Sequence, residues 1–195
     1  MIKQIILDKK IFQFEESLLP CLVVGAHKSG ASYFSVTIVA NLINKGSKVI
    51  FFTAFPMAKE ELLDQIGTDK TFDITKKTDL ENIPQDKSII IESGNKELRG
   101  QVIKGVKDLE NYIIFVKNIE EYDNSILDII GINNKIILSG DLDNCSFKNN
   151  IASKKWESKI IFTVPETALN IQVPILEKYE SYLINSKIKG ILKIK

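Results

Sequence analysis

VVGAHKSGAS, residues Val23–Ser32, closes a short apolar run and opens an amphipathic one. Gly25, four residues, then Gly30 and Ser32 match the phosphate loop pattern Gly-x-x-x-x-Gly-Lys-[Ser/Thr] at every fixed position except one. Ala31 stands where the lysine belongs. The stretch is thus a nucleotide site without its charge, a site served by another lysine, or a chance pairing of glycines.

The context favours a phosphate loop. A strand leads in and a helix leads out, and amides at a helix start attract anions through unsatisfied donors and the helix dipole. The candidate anion or nucleotide site is Gly25, Ala26, His27, Lys28, Ser29, Gly30, Ala31 and Ser32, with Ser32 at the position of a metal-binding hydroxyl. A charge-assisted hydrogen bond contributes roughly 1.5–3 kcal/mol. Loss of the lysine therefore predicts weak binding of ATP or another anion, with no tightly held cofactor. His27 and Lys28 either assist electrostatically or face solvent at the loop tip.

Outward from the loop, short apolar runs occur at Leu22–Val24, Val49–Phe52, Ser88–Ile91, Tyr112–Val116, Lys135–Leu138 and Lys159–Thr163. They are apolar on successive residues, the mark of strands buried on both faces of a parallel sheet. Helical patterns fill the intervals over Ala31–Lys45, Lys59–Ile66, Lys96–Leu109 and Ser125–Ile130. Thr68–Lys87 is the most polar stretch and is expected to contain an irregular loop. The tail predicts a helix over Ile175–Ile184 and a strand over Gly190–Ile194. The fold class is α/β, a layered fold with a mainly parallel central sheet, and residues 1–195 read as one domain.

Composition narrows the function. A net charge of +1 gives no overall bias toward nucleic acid or a membrane surface. Cys21 and Cys145 lie far apart, without metal-ligand spacing, so no metal site or disulfide is expected. No run approaches the roughly 18 apolar residues of a membrane span. A cytoplasmic location follows, with any membrane link supplied by a larger parent protein.

Hydrolysis by such a loop also needs an acidic residue ending a neighbouring strand. The natural candidate, YIIFVKNIEEY, places Lys117 and Asn118 there, and a cation at that point repels magnesium. Glu92, Glu120 and Glu121 are fallback acids, read otherwise as a strand-end residue and a solvated turn. Arg99, the one arginine, is either a trans-acting finger or part of a solvated helix face. No catalytic residue is assigned. An engineered inactivation would explain Ala31 but not Lys117-Asn118, so the joint loss points to a naturally degenerate site.

With these motifs in view, LPCLVVGAHKSGASYFSVTIVANL resembles the first strand, phosphate loop and helix of the FtsK/SpoIIIE–HerA branch of P-loop ATPases. NYIIFVKNIEEYDNSILDIIGINNKIILSGDLD is similar to its acidic strand, a short helix and a sensor strand ending at Ser139, Gly140 and Asp141. SKIIFTVPETALN and GILKIK resemble later strands. The resemblance implies a RecA-like three-layer fold. Within the branch, the start of the chain is similar to the C-terminal ATPase domains of type VII secretion motors, EssC/EccC. It implies a non-hydrolysing module for substrate recognition or regulation, partnered by a secreted protein or neighbouring ATPase domains. The alternatives are a DNA-translocating or genome-packaging ATPase and an accessory RecA-like subunit. Scarce arginine weighs against nucleic acid. Trp156 is a partner anchor or an edge residue packed on the sheet.

Overall fold

The structure, a computed structural model, describes residues 4–92, 96–106, 108–132, 134–163, 172–178 and 180–194. Seven parallel strands form the heart of one sheet: β3 (Cys21–Val24), β4 (Lys48–Thr53), β5 (Thr71–Ile74), β6 (Ser88–Glu92), β7 (Tyr112–Lys117), β8 (Ile136–Gly140) and β9 (Ser158–Ile161). Four antiparallel strands extend it: β1 (Ile5–Leu7), β2 (Lys10–Phe12), β10 (Ser181–Asn185) and β11 (Lys189–Ile194). The spatial order is β2-β1-β11-β10-β9-β3-β8-β7-β4-β6-β5. The fold is therefore mixed α/β on one large, mostly parallel sheet.

Alternate residues of each central strand feed opposite faces, which is why both parities are apolar. Val23, Phe51, Phe115, Ile137 and Ile160 pack with Phe34, Ile38 and Leu42 of helix α1 (Ala31–Asn44) and with Leu62 of helix α2 (Pro56–Ile66). Phe51 and Phe115 stack across β4 and β7 with ring centres 4.8 Å apart, adding about 0.5–1.5 kcal/mol to their burial. Leu22, Phe52, Ile91, Val116 and Leu138 face the other way, onto helices α3 (Lys96–Gly105), α4 (Ile126–Ile132) and α5 (Lys148–Ser153), through Val102, Ile126 and Ile151 among others. Helix, sheet and helix form three layers. Trp156 closes this second core, 8% exposed, and donates its indole N–H to the Ile151 carbonyl at 2.9 Å, so it packs on the sheet.

Each of the six apolar runs overlaps a strand, with Lys135 just before β8 and Phe162–Thr163 just beyond β9, and Gly190–Ile194 lies within β11. Within Thr68–Lys87, β5 and a 3-10 turn over Lys77–Asn82 alternate with irregular segments. As the sheet's edge, β5 needs only Thr71 and Ile74 buried, and it tolerates Asp73. The helix over Ile175–Ile184 does not form. Residues 172–178 carry no helix, and Ser181–Asn185 is a strand buried at every second residue. At its N-terminal side Ile175 is almost fully exposed. The segment VPETALN, from 164 to 170, lies outside the described residues.

Candidate functional site

Parallel strands leave their carboxyl ends, and the loops that follow, on one edge of the sheet. There the ends of β3, β7 and β8 and the starts of α1 and α2 enclose a cavity of about 990 Å³. All eight candidate residues, Gly25–Ser32, line it.

The loop is tied down at its strand end. Gly25 N–H donates to the Gly140 carbonyl at 3.2 Å, and Ala26 N–H to Thr163 Oγ1 at 2.6 Å. Gly30 adopts φ 98°, which glycine takes without strain, and Lys28 sits in the left-handed region at φ 65°. A Cβ on Gly25 would fall 2.3 Å from Ser29 Oγ and 2.8 Å from Phe162 Cβ, so this position admits only glycine. The Ser29 hydroxyl turns inward and accepts the Ala31 N–H at 3.3 Å. The first helical bond runs from Phe34 N–H to Gly30, leaving the Ser32 and Tyr33 amides at the helix start. Ala31 is 4% exposed, whereas His27 and Lys28 are exposed at the loop tip. Neither takes over the buried lysine's place.

That place is approached from another strand. Lys117 ends β7 and is 4% exposed. It pairs in register with Ser139 of β8, which in turn pairs with Val23 of β3. Residues side by side in a parallel sheet share a face, so Lys117, Ser139 and the loop strand present their side chains toward α1 and α2. Lys117 Nζ donates to Asn118 Oδ1 at 2.9 Å, using one of its three donors. Burial pushes its pKa down, against the opposing pull of the Glu61 and Glu120 carboxylates. Asn118, at φ 59°, donates from Nδ2 to Glu120 Oε1 at 3.3 Å. Glu120 Oε2 accepts the Asp141 N–H at 2.9 Å, and Gly140 leaves room for it: a Cβ there would lie 2.1 Å from that oxygen. Glu120 is thus a brace between β7 and β8 rather than a free acid.

Two polar groups at the cavity are unsatisfied. Ser139 is 1% exposed and its hydroxyl has no hydrogen-bond partner. Glu61 Oε2 is also buried without one, and burial raises the Glu61 pKa while Lys117 draws it back down. Glu61 was not among the residues picked from sequence. Pro56, a good first helical residue, marks an α2 that starts earlier than Lys59 and carries Glu61 to the cavity. Phe55, Met57 and Tyr33 form an exposed apolar rim.

The remaining candidates are elsewhere. Glu92 faces Lys59 Nζ at 3.7 Å, which Asp73 also engages at 2.5 Å, outside the cavity. Arg99 is neither a finger nor on a solvated face: it is 3% exposed, its guanidinium 4.9 Å from the Tyr122 ring centre and 3.9 Å from Asp123. The helix surface bearing Arg99 is covered by the β7–α4 connection, which the sequence pattern did not reveal.

A glycine loop between a buried strand and a helix, on a three-layer sheet with the site at its carboxyl edge, gives the chain a P-loop NTPase-like fold. Comparison with solved structures supports that fold. It matches the genome packaging NTPase B204 of Sulfolobus turreted icosahedral virus 2 in complex with ATP-gammaS at 12% identity and a TM-score of 0.59, covering 93% of this chain and 98% of that one. The AMPPCP complex of the same NTPase matches at 13% identity and a TM-score of 0.60, covering 91% and 96%. Its AMP complex matches at 11% and 0.52, with the same coverage. No family model and no curated protein matches the sequence.

The fold class implies a nucleoside triphosphate held with magnesium. The loop fits a phosphate; the surroundings do not fit the metal. The strand end that would bear its carboxylate bears the buried Lys117 ammonium, and among the described residues no three His, Cys, Asp or Glu side chains converge to hold an ion.

Proposed function

We propose that this chain is a non-hydrolysing P-loop module, which binds a phosphate-bearing ligand weakly and works as a recognition or regulatory element of a larger motor. One observation carries the reading: a buried lysine, Lys117, stands at the strand end beside a loop whose own lysine is Ala31. Phosphoryl transfer rests on positioning and on cations that meet the developing charge. A cavity that replaces the loop lysine with a methyl group and the metal's carboxylate with an ammonium lacks both elements. The loop backbone, Gly25 through Ser32, retains the shape and the helix-start amides that attract an anion.

The resemblance of the N-terminal stretch to type VII secretion domains supports a role as substrate-recognition or regulatory module of a protein secretion motor, with a secreted protein or adjacent ATPase domains as partners. A genome-packaging or DNA-translocating role is the second reading, supported by the near end-to-end likeness to B204. Phosphate release with magnesium and ATP tests the first claim. Turnover near 1 per second, the lower end for enzymes, would refute it.

A further inference from the structure

The polar groups of the cavity floor have a consequence for what it holds. Ser139 buries an unpartnered hydroxyl there, and Lys117 beside it retains donors beyond the one given to Asn118. A buried hydroxyl without a partner lowers stability, and a buried ammonium lowers it more unless an anion meets it. Of the carboxylates nearby, Glu120 is committed to Asn118 and the Asp141 amide, and Asp141 to the Asp143 amide and the Asn144 side chain. Among the described residues Lys117 makes no ion pair within 4 Å. Glu61 Oε2 is buried without a hydrogen-bond partner and so meets neither group, which leaves Lys117 and Ser139 with donors that a phosphate oxygen can engage.

We infer that Lys117 is the resident cation of this site: the cavity takes a phosphate monoester without a divalent metal, its oxygens received by the Lys117 ammonium and the Ser139 hydroxyl opposite the loop amides. The inference rests on the phosphate-binding reading above. It also fixes the class of ligand. One buried positive charge, with the unengaged Glu61 carboxylate near it, suits a single phosphate better than a triphosphate of charge near −4, which needs a metal to offset the remainder.

AMP, ATP and ATP with magnesium are titrated into the full chain by calorimetry, in EDTA and in excess magnesium. The inference expects AMP to bind with an affinity that changes less than about twofold between EDTA and magnesium. Lys117→Met should weaken AMP roughly ten- to hundredfold, the loss of a charge-assisted hydrogen bond, and Ser139→Ala should weaken it several-fold. Glu61→Gln should strengthen it. Binding that requires magnesium overturns the inference while leaving the phosphate-binding reading intact, as does AMP binding unchanged in both Lys117→Met and Ser139→Ala. Absence of any binding by the unmodified chain overturns both. The EDTA comparison uses the native sequence, so it decides even if a variant folds poorly.

Discussion

Lys117→Met separates a residue kept for a ligand from one kept for the fold. The native side chain is 4% exposed, follows Phe115 on the same face and precedes no further strand residue, so methionine fits its volume and its apolar neighbours. Removing a buried charge that lacks a close ion pair relieves desolvation, and replacing buried ionic groups by apolar ones of similar volume is neutral or stabilising by about 1–4 kcal/mol. The partial compensation by Glu61 and Glu120 sets the expected gain near the lower half of that range. With a urea m-value of about 2–3 kcal/mol/M for a chain of this size, the midpoint should rise by roughly 0.5 M at unchanged slope. The pH dependence supplies a second sign. Because burial lowers the folded pKa, the unfolded chain binds more protons between the two values, and native stability rises as pH climbs toward the ordinary lysine range of about 10.4. The advantage of Lys117→Met should therefore shrink with alkalinity. A midpoint that falls, or an advantage that grows with pH, would refute the claim that the ammonium is a net cost to the empty fold.

Ala31→Lys should bind ATP about tenfold tighter by calorimetry, yet release no phosphate above background, since Lys117 and Asn118 remain. Gly140→Ala forces a Cβ to 2.1 Å from Glu120 Oε2 and 2.8 Å from the Ile119 amide, and should lower stability by about 2–3 kcal/mol in urea unfolding. Arg99→Met breaks the stack on Tyr122 and the pairing with Asp123, and should cost about 1–2 kcal/mol in the same assay without altering nucleotide affinity. Cys21 is fully buried and its thiol is pushed up to about 12, and burial also raises Cys145; a disulfide thiol reagent at pH 8 should label neither in the native chain and both in urea.

The parallel strands were legible because burial on both faces makes them apolar without interruption, as in Ile113-Ile114-Phe115-Val116. Apart from β11, the edge and antiparallel strands were not. SYLIN alternates buried and half-buried residues and includes Ser181 and Asn185, whose burial depends on neighbours in β9 and β11 rather than on their own polarity. The β1–β2 hairpin turns on Asp8 and Lys9, both at positive φ, a pairing the residue types only weakly announce. At the site, the loop and Lys117 were visible as a pattern and a departure from it. Ser139 stood out only as a strand end, and Glu61 not at all, because their importance comes from register and from where α2 begins. Burial is likewise what removes Arg99 from the list of candidate catalytic groups.

Several of the fold's costs meet at the cavity. Among the described residues, five non-glycine positions have positive φ, and Lys28 and Asn118 line the cavity. Five buried side-chain polar atoms lack partners, and those of Glu61 and Ser139 line it as well. Lys117 adds a buried charge with a depressed pKa. A phosphate loop that had merely decayed has no reason to retain these: mutation would let Lys117 shorten to an apolar residue or let Ser139 become alanine, each at a gain in stability. Local rules broken together at one cavity mark a place where function offsets stability. The variants with the most stable empty fold should therefore be those that bind phosphate least. If Lys117→Met and Ser139→Ala gain stability and keep full affinity for AMP, the cavity is a relic; a gain in one matched by a loss in the other makes it a working site.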